Sequence, residues 1–134
     1  MTRTDATVFV VDDDPSVRKS LLRLIRSGGW HGEAFASAQE FLARPAFSGT
    51  GCLILDVRMP GMMGPELCDV MAARNIALPV IFLTGHADIP EGVDAWNEGA
   101  VDLLVKPVDT EVLLQAIRLA LERHAAAQNH KHYG

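Results

Sequence analysis

The chain has 134 residues, 49% of them hydrophobic and 22% charged, which fits one globular domain with a real core and excludes disordered, collagen-like and coiled-coil classes. Twelve Lys and Arg against 17 Asp and Glu leave a net charge of −5, without the basic surface that sequence-independent nucleic-acid binding requires. The opening segment is polar and every later apolar run is far shorter than the ~20 residues needed to cross a bilayer, so a soluble cytoplasmic protein touching neither nucleic acid nor membrane through this segment is expected.

The first apolar run, 8–11, is short and continuous, reads as a strand, and is followed by Asp12, Asp13 and Asp14. Asp14 and Pro15 make an N-cap and N1 pair for a helix over 15–27, with Val17, Leu21, Leu24 and Ile25 on one face and Arg18, Lys19, Arg23 and Arg26 largely on the others. Residues 33–36 are the least apolar strand candidate and are expected at a sheet edge. Ser37 and Glu40 have capping-box spacing for a short helix carrying Phe41 and Leu42.

A third apolar run, 52–55, ends on Asp56, and a helix beginning near Pro65 turns Leu67, Val70 and Met71 inward. The run 80–83 ends on Thr84, and a helix is expected from Pro90, with Val93 and Trp96 inward and Gly99 as its stop. The run 103–105 is followed by Lys106 and Pro107, then by a helix over 110–123 with Leu113, Leu114, Ile117 and Leu121 apolar. Beyond Arg123 the residues have little to bury and read as a frayed helix end and tail, with His124, His130 and His132 solvated. Trp30 and Trp96 read as core or partial cover.

Strand runs without polar alternation are the mark of strands covered on both faces. Alternating five times with helices, they predict an α/β fold, a doubly wound five-stranded parallel (βα)5 sheet. Ligands of such sheets bind at the carboxyl ends of the strands. There the fold gathers Asp12, Asp13, Asp56, Thr84 and Lys106. Clustered carboxylates repel unless a hard divalent cation neutralises them, and Mg²⁺ takes one or two carboxylates while keeping water and phosphate oxygens as ligands. A carboxylate is also a competent nucleophile towards phosphorus once charge on the transferring group is offset. The set is complete for phosphoryl transfer onto Asp56. Cys52 and Cys68 lack the spacing of a metal or redox pair, which fits a reducing compartment.

The segments Val-Val-Asp-Asp-Asp at 10–14, Leu-Asp-Val-Arg-Met-Pro-Gly-Met-Met-Gly at 55–64, Leu-Thr-Gly-His at 83–86 and Gly-Ala-Val-Asp-Leu-Leu-Val-Lys-Pro at 99–107 resemble the receiver (chemotaxis-Y-like) domain of two-component response regulators. The wording around Asp56 and Thr84 is most similar to the nitrogen-fixation (FixJ-like) type. The resemblance covers about 8–123 and implies a flavodoxin-like receiver domain over 1–125, with 126–134 a flexible tail or the start of a linker. It implies Asp56 as phosphoacceptor, charged by a sensor histidine kinase. Asp13 then ligates Mg²⁺ (or Mn²⁺) directly, Asp12 assists through water or hydrogen bonds, Asp56 and the main-chain carbonyl of Arg58 join the metal set, and Thr84 and Lys106 bind phosphoryl oxygens. It further implies a downstream output domain or partner protein and a phosphorylation-dependent homodimer. Arg58 and His86, two residues beyond Asp56 and Thr84, stand where they would limit water access at the pocket mouth, or are simply exposed loop residues.

One departure concerns Leu103, which stands where the family carries Tyr or Phe, and Val108 stands where Phe often follows Lys-Pro. Two other functions compete. A haloacid-dehalogenase-like phosphatase shares the residue types, but it needs a second Asp where Arg58 stands and places its acidic pair late in the chain. A binding module working without phosphate is kept open by Leu103.

Overall fold

The computed structural model describes residues 6–45, 47, 49–57, 64–85, 100–106 and 108–133. Its elements run β1 (Thr7–Val11), α1 (Pro15–Ser27), β2 (His31–Phe35), α2 (Ala38–Ala43), β3 (Gly51–Asp56), α3 (Gly64–Ala73), β4 (Val80–Thr84), β5 (Ala100–Val105) and α4 (Thr110–Tyr133). The helix expected from Pro90 lies outside the described residues. The strands form one parallel sheet in the order β2-β1-β3-β4-β5. β2 is at an edge, as its weak apolarity predicts.

Why the strands read as continuous apolar runs is visible in the two cores. Side chains alternate across a strand, so Val8, Val10, Cys52, Ile54, Ile81 and Leu83 pack with α1 and α4 on one face. Phe9, Val11, Leu53, Leu55, Val80 and Phe82 pack with α2 and α3 on the other. Both faces are covered, and β1, β3 and β4 are buried along their whole length.

Caps set the helix starts. Asp14 accepts from Ser16 N–H at 2.9 Å, ahead of Pro15, which opens α1. Ser37 accepts from Glu40 N–H at 3.1 Å, while the Glu40 carboxylate reaches back to Ala36 N–H, one residue earlier than the ideal box.

The last helix, α4, runs on to Tyr133, past the 110–123 span that its apolar spacing marks. No Gly or Pro interrupts the segment before Gly134, and its alanines have the highest helix propensity. His124 is half-buried, and its Nδ1 accepts a 3.0 Å hydrogen bond from Gly51 N–H at the start of β3. The buried stripe of Leu113, Ile117 and Ala120 continues to position 124 by helical spacing, a signal the polar identity of histidine conceals. Trp30 is core, 6% exposed.

Candidate functional site

The order 2-1-3-4-5 reverses direction between β1 and β3, and a crevice opens at the carboxyl ends of strands at such a point. Asp12 follows β1 and Asp56 is the last residue of β3. Both are buried, Asp12 at 2% and Asp56 at 8% exposure, while Asp13 is exposed. Carboxylate oxygens from Asp12, Asp13 and Asp56 all lie within 4.8 Å of one another.

Hydrogen bonds fix the first of these. Asp12 N–H donates to Phe35 O, its Oδ1 accepts from Asp14 N–H at 2.9 Å, and its main-chain carbonyl accepts from Arg18 Nη1 at 2.7 Å. Its Oδ2 is buried without a hydrogen-bond partner among the described residues. The Lys106 ammonium, which follows β5, stands 3.6 Å from that oxygen and 3.7 Å from Asp56 Oδ1. Lys106 owes this position to the sheet, since its N–H donates to Thr84 O at 2.7 Å and ties the ends of β4 and β5 together. Thr84 is 1% exposed, and its hydroxyl donates to Gly85 O at 3.2 Å.

The sheet therefore brings together five of the residues singled out from sequence: Asp12, Asp13, Asp56, Thr84 and Lys106. Arg58, His86 and Pro107 lie outside the described residues. Leu103 is partly buried, pairs with Phe82 in the sheet and packs in the core shared with α2 and α3. Periodicity puts Arg18 on the polar side of α1 and gives no sign of its bond to the Asp12 carbonyl. Neither cysteine thiol is activated towards its thiolate. Burial pushes Cys52 up to about 12, and burial with the neighbouring Asp69 charge pushes Cys68 up to about 11.

Among the described residues, a buried carboxylate oxygen with no donor lies beside two more carboxylates and an ammonium, oxygen chemistry of the kind a hard divalent cation accepts. These residues fit Mg²⁺. The model of the response regulator receiver domain family matches residues 8–118. The chain belongs to that family.

This receiver domain is 49% identical over 120 residues to nodulation protein W of Bradyrhizobium diazoefficiens, covering 90% of this chain and 53% of that protein. It is 41% identical over 125 residues to the transcriptional regulatory protein FixJ of Rhizobium meliloti, covering 93% of this chain and 61% of that one. The solved structure of response regulator StyR superposes with a TM-score of 0.89 at 43% identity, covering 96% of this chain and 65% of that chain. The receiver thus spans little more than half the length of these curated relatives. Its family is the signalling receiver of two-component regulators, its FixJ-like resemblance is borne out, and the phosphatase reading finds no support. Among the described residues, no helix is long and apolar enough to cross a membrane.

Proposed function

We propose that Asp56 is the phosphoacceptor of this receiver, charged by a phosphohistidine of a sensor histidine kinase with Mg²⁺ held by Asp12, Asp13, Asp56 and the main-chain carbonyl of Arg58. The observation that carries the reading is the charge at the sheet edge. Among the described residues, carboxylate oxygens of Asp12, Asp13 and Asp56 lie within 4.8 Å of one another, the Lys106 ammonium stands 3.6 Å from Asp12 and 3.7 Å from Asp56, and the buried Asp12 Oδ2 has no hydrogen-bond donor. One divalent ion offsets such a concentration of negative charge. Bound there, Mg²⁺ would supply electrostatic neutralisation of the transferring group.

The residues of the chain do the rest. An Asp56 carboxylate oxygen attacks phosphorus as the bond to the donor imidazole nitrogen breaks, and the imidazole leaves with the electron pair. The Lys106 ammonium, already 3.7 Å from Asp56 Oδ1, pairs with a phosphoryl oxygen. The buried Thr84 hydroxyl exchanges its bond to Gly85 O for another phosphoryl oxygen. Thr84 and Lys106 end neighbouring strands joined by a main-chain bond, so a shift at either is felt along β4 and β5. With Leu103 rather than an aromatic in the Phe82 register, that shift passes through aliphatic packing. The domain performs its own phosphoryl uptake and release and is not a turnover enzyme. Its output is a downstream domain or partner, with residues 126–134 opening the linker to it. A phosphorylation-dependent homodimer belongs to the same proposal, and the place of work is the cytoplasm.

Acetyl phosphate with Mg²⁺ tests the site: a mass increase of one phosphoryl group is expected in the wild type and none in Asp56→Asn. Modification that survives Asp56→Asn overturns the assignment.

A further inference from the structure

We infer that Arg18 is a positioning residue for the acidic pocket, fixing the end of β1 so that the Asp12 and Asp13 carboxylates converge on Asp56 and take up Mg²⁺. The inference rests on the metal site proposed above and adds a residue that lies outside its ligand set.

A closed ring of hydrogen bonds joins β1 to α1. Asp12 Oδ1 accepts from Asp14 N–H at 2.9 Å, and Asp14 Oδ1 accepts from Ser16 N–H at 2.9 Å. Asp14 O accepts from Arg18 N–H at 3.0 Å in the first helical turn. The Arg18 side chain then returns to the Asp12 carbonyl at 2.7 Å. Side chains tilt towards the N-terminus of their helix, so an arginine this early in α1 reaches the strand end that a residue one turn later would miss. The Asp12 carbonyl belongs to the peptide unit linking Asp12 to Asp13. A donor on that carbonyl fixes the peptide orientation, and with it the relative aim of the two carboxylates.

Helix stability does not account for this arginine. A cation near a helix N-terminus opposes the macrodipole, and the first turn of α1 carries no acidic residue to balance it. What Arg18 gains there is the short charge-assisted bond to Asp12. Outer partners that orient metal ligands commonly govern affinity by 10-fold or more.

Charge and position predict opposite signs. A guanidinium near the pocket repels a divalent ion, so deleting its charge alone would tighten Mg²⁺ binding. Deleting the brace loosens it. Calorimetric titration of the whole chain with MgCl₂ separates the two. Arg18→Met, which keeps the length without donors, is expected to raise the Mg²⁺ Kd roughly tenfold, and Arg18→Lys, with one donor, to recover part of the loss. In acetyl phosphate reactions the Arg18→Met deficit is expected to be concentrated at limiting Mg²⁺ and to shrink as Mg²⁺ saturates, a split that a general packing defect does not produce. Arg18→Leu, likewise without donors, is read in the same way should Arg18→Met not fold. An unchanged or lower Kd in a folded neutral variant overturns the inference while leaving the metal site intact. A wild-type chain that takes up no Mg²⁺ overturns both.

Discussion

The two ends of the sheet are built on opposite principles. From the amino ends to the middle of the strands, described polar side chains find partners. The Arg44 guanidinium makes 2.7 Å bonds to both Glu33 carboxylate oxygens and lies over the Phe9 and Phe47 rings, and His124 meets Gly51 N–H. At the carboxyl ends, among the described residues, the buried Asp12 Oδ2 has no donor, and the Lys106 ammonium stands beyond hydrogen-bond distance of the Asp12 and Asp56 carboxylates. The matched end stabilises the fold. The unmatched end carries a local cost that a ligand can relieve, which is where function is expected.

Substitutions at the matched end should hurt stability, and those at the acidic end should hurt binding. The largest effect on stability is expected from Phe9→Ala, because that ring is fully buried and contacts Phe35, Phe41 and Phe47. A loss of about 3–5 kcal/mol in urea unfolding is expected, and a loss under 1 kcal/mol would refute the importance of that cluster. His124→Ala leaves the Gly51 N–H without its imidazole partner and should cost about 1–3 kcal/mol. If it costs nothing measurable, the helix-to-strand bond contributes no stability.

Asp12→Asn should behave in the opposite way. Asparagine retains an acceptor for Asp14 N–H while removing a buried charge, so unfolding without Mg²⁺ should show unchanged or higher stability. The rise in melting temperature on adding Mg²⁺ should vanish. A strong loss of stability in the metal-free variant would contradict the unmatched character of that end.

The smallest effect belongs to Glu33→Gln, because the Glu33 carboxylate is 41% exposed and solvent screens the pair. Under about 1 kcal/mol is expected. The sign with pH is definite. Hydrogen bonds from Arg44 are the main cause holding the Glu33 carboxyl below its ordinary 4.5, against the opposing effect of burial. The increment is therefore present above that value and is lost as pH falls through the lowered one. Wild type and Glu33→Gln should differ near neutrality and converge in acid. A difference that persists unchanged at low pH would dissociate the effect from Glu33 ionisation.

What was legible in the sequence follows from the same contrast. Runs such as 8–11 and 52–55 could be read because burial on both faces leaves no polar residue in them. Asp14 and Ser37 marked helix starts because cap chemistry is local. Asp12, Asp56, Thr84 and Lys106 could be found because a parallel sheet places every strand end on one edge. Arg18 and His124 were not legible, since the partner of each is a main-chain atom and main-chain atoms leave no residue-type signature. The continuation of α4 to Tyr133 was hidden for a different reason: a polar segment without Gly or Pro carries no stop signal, yet it has no apolar stripe to announce a helix.

The central claim is that the unmatched carboxyl edge is a Mg²⁺-dependent phosphoacceptor centred on Asp56. Intact-protein mass spectrometry after incubation with acetyl phosphate tests it most directly, with Mg²⁺ and with EDTA, in the wild type and in Asp56→Asn. One added phosphoryl group only in the wild type with Mg²⁺ is the predicted result. Equal incorporation in EDTA, or incorporation in Asp56→Asn, would contradict it.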